Sequence, residues 1–190
     1  MPAPPTLQAT PTRARYWVIV FAITLAIIQY IDRVCISQAA PYITEDLDLS
    51  AIEMGHVLSA FTLAYALFKI PTGWFGDRIG ARKALIRVVL WWSFFTAATG
   101  WAWNFVSMAA TRFLFGAGQA GCFLNLTKAF NAWLPSKDRT QAQALMWMGV
   151  RWGGACAPLL VVAVMTFLSW RLAFLVFAIS AVIYFVGAIC

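Results

Sequence analysis

The stretch Gly73-Trp-Phe-Gly-Asp77-Arg78-Ile-Gly80-Ala-Arg82-Lys83 sets three glycines, one acid and three bases between two long apolar runs. Gly76 and Gly80 permit a tight turn. Asp77 can accept from basic neighbours and from a helix N-terminus. Arg78, Arg82 and Lys83 suit the headgroup layer of an anionic membrane surface. The pattern predicts a short polar hairpin loop joining two helices that cross a bilayer.

Working outward from that loop, about 20 apolar residues suffice for a crossing helix. The qualifying stretches are Tyr16–Ala39, Ala51–Phe75, Ala84–Trp103, Phe105–Ala132, Gln141–Phe167 and Arg171–Ile189. Their apolar character is continuous and not alternating, which excludes a barrel. With 62% hydrophobic residues, 11% charged residues and a mean hydropathy of +0.76, the chain lies outside soluble globular proteins. The net charge of +7 falls in short clusters beside the spans, a membrane pattern and not a nucleic-acid one. Arg13, Arg15, Arg78, Arg82, Lys83, Arg87, Lys137 and Arg139 share one side; Glu45, Asp46, Asp48, Glu53 and Arg171 lie on the other. The positive-inside rule then makes both termini cytoplasmic.

Residues 1–15 read as a disordered cytoplasmic tail and 16–190 as one six-helix transmembrane bundle. Ser37-Gln-Ala39 could pass as a leader cleavage site, but Asp32-Arg33 interrupts the apolar stretch, so the first span reads as retained. Cys35, Cys122, Cys156 and Cys190 fall within spans without metal-ligand spacing and read as buried, free and inert. No metal or cofactor is expected. Asn125-Leu-Thr127 matches a glycosylation acceptor but lies inside a span. His56 is the single histidine, leaving almost no material for histidine chemistry and an expected place near an interface.

Charges inside apolar spans are costly unless they face a partner or a watery cavity. Asp32 and Arg33 lie in the first span; Arg112 lies in the fourth, with Gln119 two turns further on the same face. Such charges point to a membrane path for a charged solute.

The loop resembles the signature loop of the major facilitator superfamily, Gly-x-x-x-Asp-Arg-x-Gly-x-Arg-Lys, which in that family latches the two halves of the transporter on the cytoplasmic side. Gly73, Asp77, Arg78, Gly80, Arg82 and Lys83 are its matching positions. Tyr30-Ile-Asp-Arg33, Ala39-Ala-Pro-Tyr-Ile43, Arg112-Phe-Leu-Phe-Gly116-Ala-Gly118-Gln-Ala-Gly121 and Trp133-Leu-Pro-Ser-Lys-Asp-Arg139 resemble the anion:cation symporter branch. That branch carries sugar acids, aromatic carboxylates, sialic acid and related anions. The resemblance implies an all-α membrane protein, the N-terminal six-helix half of a major facilitator fold, built from two inverted three-helix repeats. It also implies a bacterial inner-membrane location.

Arginine pairs bidentately with carboxylates at any relevant pH, so Arg33 and Arg112 are the leading substrate-anion ligands; a structural ion pair with Asp32 is the alternative for either. Tyr30 and Tyr65 offer hydroxyl contacts or aromatic packing. Arg151 either adds an anion contact or snorkels and pairs elsewhere. Asp32 is the intramembrane carboxylate and the expected proton carrier. Relatives place a glutamate at the position of Gln119, and an amide cannot titrate. Coupling through Asp32 alone, coupling through residues outside the chain, and facilitated diffusion all stand open. The expected partners are a small anionic substrate, protons, the bilayer, and a C-terminal half or a second copy in its place. A non-transporting anion-binding membrane subunit is the second reading. An integral membrane enzyme is the third, and it lacks a cluster of His, Asp or Glu with metal-binding spacing.

Overall fold

The computed structural model describes the backbone of residues 14–189 and the side chains of residues 16–185. The expected N-terminal tail, Arg13, the Arg15 side chain and Cys190 lie outside the described residues. Seven helices follow in order: α1 (Ala14–Asp46), α2 (Ala51–Ile79), α3 (Ala81–Gly100), α4 (Phe105–Gln119), α5 (Cys122–Trp133), α6 (Ser136–Phe167) and α7 (Trp170–Ile189). By length and apolar character, α1 from Tyr16, α2 and α6 each suffice to cross a membrane. The expected fourth span is divided, because α4 and α5 meet at Ala120 and Gly121. Gly116, Gly118 and Gly121 weaken the helix there, and Gly121 nestles against Thr72 and Val88.

Helix ends follow local chemistry. Ser50 caps α2 and Asn104 caps α4, each in a reciprocal capping box, with Glu53 and Ser107 as the return partners. The guanidinium of Arg139 donates to the carbonyls of Leu134 and Asn131 at the end of α5. Helices run further than the apolar stretches alone indicate. Glu45 and Asp46 close α1, and Ser136 opens α6, since a polar turn costs nothing once the helix leaves the hydrocarbon.

The packing carries a two-fold symmetry. α1 lies along α6, α2 along α4 and α3 along α7; α3 also packs on α4, and α1 on α7. Take α1–α2–α3 as one repeat and α4/α5–α6–α7 as the other. Exchanging them turns α1·α6 into α4·α2, turns α3·α4 into α7·α1, and returns α3·α7 to itself. Three spans per repeat start the second repeat on the opposite side of the membrane, so the repeats are inverted.

Two apolar clusters form the interior. One gathers Leu25, Val89, Trp92, Phe115, Leu126, Phe130 and Met146. The other gathers Ile43, Val57, Met108, Trp170 and Phe174 near the opposite end. Between them α1, α3 and α4 contribute a buried polar layer of Gln29, Asp32, Ser93, Thr96, Thr99, Arg112 and Gln119.

Candidate anion and proton site

α1 sets Asp32 and Arg33 about 100° apart on its circumference, and the two side chains enter different cavities. Arg33 and Arg112 line one of about 190 Å³ between α1, α2 and α4, with Ser37, Phe61, Thr62 and Phe115. Asp32 lines another, of about 310 Å³, between α1, α6 and α7, with Leu160, Phe177 and Ser180.

In the first cavity the Arg33 guanidinium lies 4.6 Å from the ring centres of both Phe61 and Tyr65. These faces attract the cation and hold the fork without consuming its donors. Arg112 is 1% exposed. It donates through Nη2 to Thr99 Oγ1 at 2.6 Å and lies 4.6 Å over Phe115 and 5.1 Å over Phe174. Its Nε has no partner. Two cations thus share one cavity wall, and neither is ion-paired among the described residues.

Asp32 is likewise 1% exposed, and both carboxylate oxygens lack a hydrogen bond. Arg112 is close enough to act on it electrostatically, and the Trp92 indole is its polar neighbour from α3, without a bond of acceptable geometry. The alternative reading, a direct ion pair of Asp32 with Arg33 or Arg112, is not found among the described residues. A buried charge without a partner is expensive.

The other expected site residues are dispersed. Gln119 is fully buried and donates from Nε2 to the Gln29 carbonyl at 3.0 Å; it does not line the Arg33–Arg112 cavity. Tyr30 presses on Gly154, where an added Cβ would meet its ring at 2.6 Å. Tyr65 reaches the site through Arg33. Arg151 is exposed on α6, as is Lys69 on α2. His56 is exposed in the first turns of α2, its ring edge-on to Phe105. Asn125 is fully buried. Cys35 and Cys122 are buried and free, but Cys156 is exposed, because it lies on the outward face of α6, next to the buried Ala157.

The signature loop is tighter than a glycine-rich turn. α2 continues through Ile79, and Gly80 (φ 83°) alone makes the reversal. Gly76 is helical and buried instead; a Cβ there would come within 2.0 Å of Asn125 Oδ1, so the glycine serves close helix contact. Gly73 similarly faces Leu124. Asp77 pairs with Lys128 of α5 at 2.6 Å, and Lys128 also donates to the Gly73 carbonyl. Arg78 lies 4.0 Å over Trp74, while Arg82 and Lys83 are exposed. Sequence reading missed Lys128, although a lysine in an apolar span carries the same signal as Arg112. It also missed Gln29, Trp92 and Thr99, uncharged residues that become notable only through their shared layer.

At the opposite end Arg171 is the matching clasp. It pairs with Asp46 at 2.7 Å and donates to the carbonyls of Gly100 and Ala102, tying α7 to α1 and to the α3–α4 connection.

Residues 22–190 match the Major Facilitator Superfamily. The chain belongs to that family. It is 37% identical over 164 residues to a probable sulfoacetate transporter of Cupriavidus necator, covering 86% of this chain and 38% of that protein. It is 35% identical to the hexuronate transporter of Bacillus subtilis, covering 88% and 40%. It is 32% identical to a D-galactonate transporter of Escherichia coli, covering 90% and 40%. The chain thus spans about two-fifths of the length of these relatives. A crystal structure of a bacterial homolog to the human lysosomal transporter Spinster, inward-facing and unoccupied, superposes with a TM-score of 0.85 at 23% identity, covering 94% of this chain and 43% of the other. The fold is therefore a six-helix half of a major facilitator, an integral membrane unit.

Proposed function

We propose that this chain is the N-terminal half of a proton-coupled symporter for a small organic anion, and not an enzyme. The observation that carries the reading is the convergence of Arg33 and Arg112 on one cavity while Asp32, the residue next to Arg33, opens into another. Arg33, stacked on Phe61 and Tyr65, offers its fork to the carboxylate or sulfonate; Arg112 is held from behind by Thr99 and adds the second charge. Tyr65 shapes the pocket beneath Arg33. Tyr30, Gln119 and Arg151 are secondary contributors, Gln119 by fixing α4 against α1. Asp32 takes up and releases the coupled proton, and the nearby Arg112 charge links the two sites electrostatically. The Gly73–Lys83 segment, clasped by Lys128, is the cytoplasmic latch of alternating access against the second half. The setting is the bacterial inner membrane, as the family resemblance implies, with both ends of this unit cytoplasmic, as the charge distribution favours.

The relatives named above are transporters of sugar acids and of sulfoacetate, which supports an organic anion as the solute here. The test is uptake by the whole transporter in proteoliposomes, offered labelled hexuronate, galactonate or sulfoacetate under an acid-outside gradient. Accumulation of at least one anion that collapses with a protonophore is expected. Saturable binding in detergent with no flux in vesicles would replace symport by an anion-binding membrane subunit.

A further inference from the structure

The inverted repeat leaves two lateral clefts, because the second and third helices of each repeat barely touch one another. In the second repeat the cleft lies between α6 and α7 with α1 as its floor, and it is the cavity that Asp32 lines. Its counterpart lies between α2 and α3, with α4 and α5 as the floor. This cleft has a volume of about 250 Å³ and is walled by Phe68, Thr72, Phe75, Val88, Trp91 and Gly118, with Arg87 at its lip. The proposed transport reading assigns it nothing.

We infer that the α2–α3 cleft is a binding site for one anionic phospholipid of the cytoplasmic leaflet, its acyl chain in the cleft and its phosphate on Arg87. The walls are apolar and open outward: Phe68, Phe75, Leu90, Trp91 and Phe94 are exposed on the face that α2 and α3 turn away from the bundle. The one polar group of Trp91 is already used, since its indole N–H donates to the Leu114 carbonyl at 2.9 Å. The ring lies so close to Gly118 that a Cβ there would fall 2.1 Å from it. The cleft therefore has a fixed aromatic wall that offers a lipid tail only its hydrophobic face.

Charge selects the headgroup. Arg87 stands six residues into α3, roughly 9 Å above its start, a depth from which its exposed side chain reaches the phosphate layer. Its guanidinium leans across the cleft to within 5.2 Å of the Phe75 ring, leaving its donors free. Arg82 and Lys83 are exposed one to two turns below, and the nearby acid Asp77 is occupied by Lys128. The field at the lip is therefore positive, matching a leaflet rich in anionic lipid. The symmetry-related cleft serves as an internal contrast. Its described lining residues include no base; it presents Asp32 and Ser180 instead, so it would not choose an anionic headgroup.

The experiment uses the whole protein, purified in a neutral detergent and titrated with phosphatidylglycerol or phosphatidylcholine under native mass spectrometry. Wild type should retain one phosphatidylglycerol in clear preference to phosphatidylcholine. Arg87→Gln should cut that preference about fivefold, the effect of one basic residue at an anionic surface. Arg87→Lys should keep most of it, and Arg82→Gln should change it less than Arg87→Gln does. A photoreactive benzophenone side chain at position 72 should crosslink to the lipid tail in vesicles of phosphatidylglycerol. Equal lipid preference in wild type and Arg87→Gln would overturn the proposal. So would crosslinking at position 72 to another segment of the same protein, which would mean that polypeptide and not lipid fills the cleft. Neither result bears on which anion is carried, so this inference and the transport reading fail separately.

Discussion

Arg33 and Arg112 share a cavity but not an environment, and substitutions should separate them. Arg33 is half-buried and held by the ring faces of Phe61 and Tyr65, with the Tyr65 hydroxyl as its polar neighbour. Arg33→Ala therefore removes a ligand while leaving little unsatisfied behind. In the whole transporter it should lower uptake of the cognate anion at least about a hundredfold, the scale of a lost charge-assisted bidentate contact, with little loss of thermal stability. Near-normal uptake would dismiss Arg33 from the site. Arg112 is completely buried and bonded to Thr99, so its removal disturbs the fold as well as the site. Asp32→Asn tests coupling. The amide occupies the same volume, so counterflow of the anion should persist while accumulation against a gradient disappears; continued accumulation would move coupling to another group. Both arginines and Asp32 were legible in the sequence because a charge in an apolar span is conspicuous. Their assignment to separate cavities was not, since adjacency in the chain hides the 100° turn between neighbouring side chains.

At the scale of helices, Gly116 decides how closely α4 approaches α2. A Cβ at this position would sit 2.5 Å from the Phe61 carbonyl oxygen, a backbone atom that cannot step aside without moving α2. Gly116→Val should destabilise the protein by about 1–3 kcal/mol through overpacking, and should lower anion affinity too, because Phe61 lines the cavity and supports Arg33. Thermal unfolding in detergent with a parallel binding titration checks both effects; wild-type values for the two together would refute the packing argument. Gly116, Gly118 and Gly121 stand out in the sequence of the fourth span, but which helix each one meets does not. It read the signature glycines less well. Gly76 looks like a turn residue until its neighbour Asn125, far away in the chain, is seen to fill the space a side chain would need. Likewise the break at Ala120–Gly121 lies inside a continuous apolar run, where hydropathy has nothing to register.

At the scale of the bundle, ion pairs among the described residues close opposite ends: Asp77–Lys128 beside the α2–α3 reversal and Asp46–Arg171 where α1, α3 and α7 meet. Their surroundings differ, and so should their energetic weight. Asp77 is 67% exposed and its partner 28%, so solvent screens the pair, and a double-mutant cycle on Asp77→Asn and Lys128→Gln should give a coupling of no more than about 1 kcal/mol. Arg171 is anchored by two backbone carbonyls in addition to its carboxylate, which places its guanidinium in a frame set by three elements. Arg171→Gln should therefore cost more stability than either change at the other end, since the carbonyls of Gly100 and Ala102 lose a donor together with the ion pair. If unfolding of the whole protein instead shows Lys128→Gln to be the more damaging change, the signature-loop clasp holds the resting fold and is more than a conformational latch. The inverted repeat explains why such clasps are needed at both ends. With the second and third helices of each repeat scarcely touching, each end of the bundle is held across repeats, by residues whose partners lie 51 or 125 positions away in the chain.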